Sequence, residues 1–494
     1  MGGGAGSILT SEHLCVTSQN TDPRGVALLR SAHDLGITAL TGIDISDLVF
    51  FRGGIHDDTK QIIESLLVDS LLQHGEWNRA STQHQHLVET ALHPGVTDST
   101  TDELQRVIRR MDLPIDGVAS GKRFALHGSL SPSELDRLIS ALLANPIIER
   151  WSVDLPIEPL FVDTQAIATI AVHRVPIDAT TTPEQLAVIN KERGLALDPE
   201  ELIAIRDHFS QRGVHPTDVE LETIAQTWSE HCAHKTFRAN ITTESGSPRP
   251  SLINQLRTST DTINAPYVVS SFVGNAGIIS FTPGRTLALK CETHNHPSAI
   301  EPFGGANTGV GGVIRDIMGA QHTPIACTNI LCFGPPDTDT LSLPEGVFPP
   351  LRTRDGVIDG IADYGNKIGL PTVAGAVLYD PGYTANPLVY AGCIGTSNSF
   401  VDQVAPQPRD RIVVLGGRTG RDGLRGATFS SMTMDATTGD VSGASVQIGD
   451  PITEKLVIDV LVDAQHLYRA ITDCGAGGLS SAIGEMAEGV GARV

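Results

Sequence analysis

The first 155 residues carry the same pattern twice, and a duplication constrains a fold tightly because both copies must bury equivalent faces. "HLCVTSQNTDPRGVALLRSAHDLG", from His13, is answered by "HLVETALHPGVTDSTTDELQRVIRRMDLP", from His86. Likewise "TKQIIESLLVDSLLQHGEWN" is answered by "ELDRLISALLANPIIERWSVD". Each copy reads strand, helix, strand, helix, short strand. Val26, Leu29 and Ala32, or Leu104, Val107 and Ile108, recur at helical spacing, and "ALTGIDISDLVFFRG" and "IDGVASGKRFALHG" supply extended runs. Two small α+β units side by side are predicted. Neither holds a catalytic constellation, so scaffolding or docking is their expected role.

At 494 residues the chain needs several cores. Its formal charge of −22, from 57 acidic against 35 basic residues, argues against a nucleic-acid partner, whose phosphates demand Lys and Arg. No apolar run approaches the roughly 20 residues of a membrane span, and "MGGGAGSILTSEHLC" has neither a basic segment nor an apolar h-region. Myristoylation would want Ser or Thr where Gly6 stands. A cytoplasmic protein with no membrane partner is expected. The seven cysteines are scattered and never form C-x-x-C, which predicts reduced thiols; "AGCIG" around Cys393 reads as an ordinary strand rather than a glutaminase nucleophile.

The chemistry concentrates in "TLALKCETHNHPSAIEPFGGANTGVGGVIRDIMG", residues 286–319. Taken as a strand, it projects Lys290, Glu292, His294 and His296 from one face, with Leu287, Leu289, Cys291 and Thr293 on the other. Beyond it, Val310, Val313, Ile314, Ile317 and Met318 follow helical spacing, with Thr308 as cap, which predicts an anion cradle at a helix start. A helix terminus contributes only about 0.3 to 1 kcal/mol toward an anion. Lys290 and a Mg²⁺ ion on Glu292 and Asp316 are expected to share that task. His294, with an ordinary pKa of about 6.5, is the natural proton acceptor.

Other stretches have similar character. "HPTDVELETIAQTWSEHCAHKTF" predicts one helix with a Thr217–Glu220 capping box, a face of Val219, Ile224, Trp228 and Cys232, and Glu230, His231, His234 and Lys235 at its C-terminal end. After the joint "DQVAPQPRDR", "RIVVLGGRTGRDGLRGATFSS" reads as a strand entering a phosphate-compatible turn. "ASVQIGDPITEKL" starts a helix at Asp450 and Pro451, just after Gln447, and "ITDCGAGGLSSAIGEMAEG" sets Asp473, a second metal-ligand candidate, before a glycine turn. A zinc site on His294, His296 or the H-C-x-H of His231, Cys232 and His234 is the alternative, but no matching ligand pair follows "HCAH" closely.

"WSEHCAHKTF", "LKCETHNHPSAIEPFGGANTGVGGVIRDIMGA", "GIADYGNKIGLPTVAG", "GGRTGRDGLRGATFSS", "SVQIGDPITEKL" and "DCGAGGLSSA" occur in the order found in PurL-type phosphoribosylformylglycinamidine (FGAM) synthases. From about Leu202 onward the chain resembles that family, and "LLANPIIERWSVD" resembles the end of its small PurS subunit. The resemblance implies a multidomain α+β and α/β architecture: PurS-like units at 1–80 and 81–155, a linker region at 156–240 with a helix ending in His231, an AIR-synthetase-like (PurM-like) N-terminal domain at 241–402, and a truncated C-terminal domain at 403–494. It implies a C–N bond-forming ligase of purine biosynthesis that uses ATP and Mg²⁺. Such a ligase phosphorylates the amide oxygen of formylglycinamide ribonucleotide (FGAR) and lets ammonia from a separate PurQ-type glutaminase displace the phosphate. His231 and His294 would then be catalytic, and His234 and Lys290 would contact ATP. Thr293, His294, Asn295, His296, Arg315 and Gln447 would contact substrate, and Glu292, Asp316 and Asp473 would hold Mg²⁺. PurS-like self-association is a further implied contact. The sequence departs from the family at His234, where many members carry Tyr, and at Ala376, where they usually carry Glu. Another ATP-dependent member of the superfamily and a glutaminase-docking scaffold are the alternative functions.

Overall fold

A computed structural model describes residues 11–78, 84–94, 96, 98–146, 148–161, 172–398, 405–417, 423–435 and 446–493. Of these, residues 11–161 belong to one compact unit and those from 172 onward to another.

The first unit runs β1 (Ser11–Ser18), α1 (Pro23–Asp34), β2 (Leu40–Arg52), α2 (Asp57–Leu67), β3 (Gln73–Trp77), then β4 (His86–Leu92), α3 (Ser99–Arg110), β5 (Val118–Gly128), α4 (Pro132–Leu138) and β6 (Glu149–Val153). The two copies share one six-stranded antiparallel sheet, ordered β3-β1-β2-β5-β4-β6. Strand alternation divides its side chains. Leu14, Val16, Val49 and Phe51 pack with Ile63 and Ile108 of the helices, whereas Cys15, Leu48 and Phe50 meet Ile157 from the segment after β6. That segment is tied down through Glu89, which accepts from Ile157 N at 2.8 Å and pairs with the buried Arg123 at 2.7 Å.

The second unit begins with α5 (Pro183–Arg193), α6 (Pro199–Arg212) and α7 (Asp218–Thr227), which bury Leu186, Leu202, Ile205, Phe209 and Leu221 together. The predicted capping box holds: Thr217 Oγ1 accepts from Glu220 N at 3.1 Å and Glu220 accepts from Thr217 N at 2.8 Å. The single long helix does not. It stops at Trp228, and Ser229 caps a separate turn, α8 (Glu230–Ala233), followed by α9 (Lys235–Arg238), with His234 between them at φ 51°. The buried face of α7 is Leu221, Ala225 and Gln226, while Val219 is exposed. The expected face assumed a continuous register that the break interrupts.

Short β7 (Ile241–Thr242) and β8 (Pro248–Arg249) precede α10 (Leu252–Ile263). A six-stranded sheet then forms from β9 (Val268–Ser270), β10 (Gly277–Thr282), β11 (Arg285–Thr293), β12 (Thr323–Phe333), β13 (Thr372–Tyr379) and β14 (Leu388–Ser397). Its order is β13-β12-β14-β11-β10-β9, with only β12 and β13 parallel. Between these strands lie α11 (Asn295–Ile300), α12 (Pro302–Gly319) and α13 (Pro350–Ile368). Every residue of α12 except Phe303 and Arg315 is buried, as expected for a helix apolar around most of its circumference. Val310, Val313, Ile314 and Ile317 meet Ala288, Leu331, Val389 and Ala391 of the sheet and Val357, Ile361 and Tyr364 of α13.

A Cβ at Gly360 would lie 2.2 Å from Phe303 O, so the absence of a side chain sets the distance between α12 and α13. Gly360→Ala is expected to destabilise the protein by about 1–3 kcal/mol through overpacking. Urea denaturation measures this, and an unchanged midpoint would refute it.

The chain continues through α14 (Gly426–Phe429), α15 (Pro451–Asp463) and α16 (Gly478–Met486). Asp450 caps α15 as the sequence indicated, accepting from Thr453 N at 3.0 Å, and Ile458 and Leu461 join the core around Val357. Ile412–Leu415, read as a strand, forms none, and Val413 is 71% exposed. Among the described residues no strand pairs with it, and its exposed backbone is left to bond water instead of a ladder partner. The turn at 418–422 lies outside the described residues, as do the N-terminal glycines and residues 166–171 of "AIATIAVHRVPI".

Candidate active site

Strand β11 runs inside the sheet between β14 and β10, and its alternation puts Lys290 and Glu292 on one side. Lys290 Nζ lies 3.3 Å from Glu292 Oε2 and 3.0 Å from Asp316 Oδ2, which α12 brings alongside. Burial opposes the lysine charge, but Asp316 and Glu292 outweigh it and raise the Lys290 pKa. Gly312 faces Glu292 Oε1, which an added Cβ would approach to 3.2 Å.

The strand does not continue to His296. It ends at Thr293, where His294 N donates to Val389 O at 2.7 Å and the Asn295 side chain accepts from Val389 N at 2.9 Å, closing off the ladder. His294 nevertheless reaches the cleft, from a bend at φ −130°, ψ 55°, packed against Gly309, where a Cβ would stand 3.0 Å from its own Cβ. Burial pulls its pKa below the ordinary imidazole value, opposed by Glu292, and its Nδ1 is buried without a hydrogen-bond partner. His296 turns elsewhere: Nε2 is 2.9 Å from Met432 O and the ring meets Phe429 edge-on.

The helix after it starts at Pro302, not at Thr308, because the Glu301 carboxylate accepts from Gly304 N and caps it. Thr308 lies inside α12, its hydroxyl donating to Gln447 O at 2.7 Å. The expected anion cradle at Thr308 is therefore absent; the glycines there admit His294 and Glu292 to the helix surface.

Nine of the expected residues line one cleft of about 430 Å³: His231, His234, Lys290, Glu292, His294, Arg315, Asp316, Gln447 and Asp473. Thr293, Asn295 and His296 do not line it. Burial, opposed by Glu292, lowers the His231 pKa. Asp473 accepts from Asn275 Nδ2 at 2.9 Å, a partner in the β9–β10 connection that no sequence motif indicated. Burial raises the Asp473 pKa, and burial together with Asp473 pushes Asp316 up to about 7. Lys235 leaves the group to pair with Glu201 at 2.7 Å. Arg315 Nη1 donates to Glu454 Oε2 at 3.2 Å.

Among the described residues no three His, Cys, Asp or Glu side chains form a ready-made metal cage. The donor set still suits a hard divalent cation. Four carboxylates share the cleft, Glu292, Asp316, Asp473 and Glu485; burial pushes Asp316 and Asp473 toward protonation, and Mg²⁺ needs only one or two carboxylates beside water and phosphate oxygens. Cys393 is fully buried and pushed far up by its hydrogen bond with Cys327 and by burial, so this thiol is not a nucleophile.

Three family models match: "AIR synthase related protein, N-terminal domain" over residues 273–397, "Formylglycinamide ribonucleotide amidotransferase linker domain" over 186–235, and "AIR synthase related protein, C-terminal domain" over 407–494. From residue 186 onward the chain is similar to PurL-type synthetases. The phosphoribosylformylglycinamidine synthase subunit PurL of Thermoplasma acidophilum is 40% identical over 318 residues, 63% of this chain and 39% of that one. The PurL subunit of Moorella thermoacetica is 40% identical over 286 residues, 56% of this chain and 35% of that one. The chain thus spans about two fifths of the length of the curated PurL relatives it matches. Solved structures of similar sequence include Thermotoga maritima PurL complexed with FGAR, at 35% identity, 57% of this chain, 41% of that chain and TM-score 0.44. Another is PurLQS from the same organism, at 32% identity, 57% and 39% coverage and TM-score 0.40. Among the described residues no helix is long and apolar enough to cross a membrane.

Proposed function

We propose that this chain supplies the nucleotide and substrate cleft of an ATP-dependent FGAR amidation, the reaction that gives FGAM. The observation that carries the reading is the convergence of Lys290, Glu292, Asp316 and His294 with Arg315 and Asp473 in one cleft. In this reading Lys290 and His234 meet the ATP phosphates, and Arg315, Gln447 and, from the Thr293–His296 segment, His294 face FGAR. Glu292, Asp316 and Asp473 hold Mg²⁺, which neutralises phosphate charge when bound. His231, which lines the same cleft, is the second catalytic histidine. Half-buried, with desolvation holding its pKa below the ordinary imidazole value, His294 accepts the proton lost as ammonia adds and phosphate leaves. Ammonia comes from a separate glutaminase, and the PurS-like units at 1–80 and 81–155 dock it or associate with one another.

Titration calorimetry of this chain with Mg-ATP and then FGAR tests the reading. Heat with FGAR is the expected result; binding of thiamine phosphate, selenide or a carbamoyl substrate in its place would overturn it.

The metal assignment makes a pH prediction. The folded Asp316 pKa of about 7 lies above its ordinary value of 3.8, so its stabilising contribution is complete below pH 3.8 and lost as pH rises through 7. A cation reverses that loss by binding the deprotonated form. The rise in melting temperature on adding Mg²⁺ should therefore grow between about pH 5.5 and 8. A rise independent of pH would remove Asp316 from the metal site.

A further inference from the structure

We infer that Tyr364 and Glu454 are positioning residues that fix the Arg315 guanidinium in the cleft through a shared carboxylate oxygen, an inference resting on the FGAR reading. Glu454 Oε2 accepts from Tyr364 Oη at 2.5 Å and from Arg315 Nη1 at 3.2 Å. The three residues come from α13, α15 and α12, so the contact joins the N-terminal AIR-synthase-related domain to the segment matched by the C-terminal model. Arg315 is one of only two residues of α12 not buried, and it alone of that pair lines the cleft.

The tyrosine is set in place by two glycines. A Cβ at Gly311 would lie 2.5 Å from Tyr364 Oη, and one at Gly449 would lie 2.6 Å from its Cε2. Tyr364 is 1% exposed, and the Glu454 side chain 9% exposed. Glu454 Oε1 is buried with no hydrogen-bond partner, so the carboxylate's described bonding is confined to the oxygen shared by Tyr364 and Arg315. A guanidinium with one anchoring carboxylate loses its direction when that oxygen changes, because the bond is charge-assisted and geometrically specific. Tyr364, by donating to the same oxygen, holds the carboxylate in the rotamer that meets Arg315.

Two variants test this, Tyr364→Phe, which removes only the hydroxyl, and Glu454→Gln, which keeps the shape and removes the charge. FGAR affinity is expected to fall about tenfold in Tyr364→Phe and further in Glu454→Gln, with Mg-ATP affinity within about twofold of the parent. A merely structural role would weaken both ligands together. Crystal structures of the ligand-free variants read the guanidinium directly. A displaced Arg315 beside an intact α12 is expected, and an unmoved guanidinium in both variants overturns the inference whichever substrate the cleft takes. A parent chain that fails to bind FGAR defeats the proposed function alone, because that structural readout stands apart from it.

Discussion

Replacing His294 with alanine is expected to slow FGAM formation by the assembled synthetase by about 10²–10⁴-fold, the usual contribution of a positioned general base. Mg-ATP binding should survive, because the carboxylates and Lys290 reach the cleft independently of this side chain. The pH profile discriminates further. Burial holds the His294 pKa below the ordinary value of 6.5, so the base stays free through neutrality and the acid limb of kcat should fall below pH 6.5. His294→Ala should erase that limb. A variant within about fivefold of the parent rate, or one that keeps the limb, would assign the proton transfer to another group.

The second large effect is on Lys290. Its ammonium lies between Glu292 and Asp316, and removing one partner of a buried ion group costs about 3–5 kcal/mol. The Lys290 side chain retains 26% exposure, which places Lys290→Met near about 2–3 kcal/mol. The carboxylates left behind should then recruit cation, so millimolar Mg²⁺ should restore part of the lost melting temperature while ATP affinity stays low. Equal destabilisation with and without Mg²⁺ would show that the two carboxylates do not share an ion.

The parts of this site that were legible in the sequence follow from periodicity. Lys290 and Glu292 are two apart on a strand, and Asp316 lies on a helix whose apolar register was readable. His294 was selected for a reason that does not hold, since alternation ends one residue before it. What ends it is the Asn295 side chain taking Val389 N, a contact to a strand about ninety residues away that no local pattern encodes. The early start of α12 has a local cause: Glu301 and Pro302 are a recognisable cap and first turn, outweighed in the reading by the glycines beyond them. Ser229 likewise marks the break before His231. Tyr364 and Glu454 lie inside recognised motifs, "GIADYGNKIG" and "DPITEKL", yet nothing short of tertiary structure shows that they meet.

The first unit carries a different lesson. Its strand order is symmetric about the β2–β5 pair, each copy contributing third, first and second strands toward the middle, as two identical subunits would about a dyad. Joining them in one chain replaces a bimolecular association with an intramolecular one, at an effective concentration of roughly millimolar for a short tether. The sheet should therefore persist at dilutions that would dissociate a dimer of separate copies. Cutting the tether would restore concentration dependence and leave two long bare edges seeking each other.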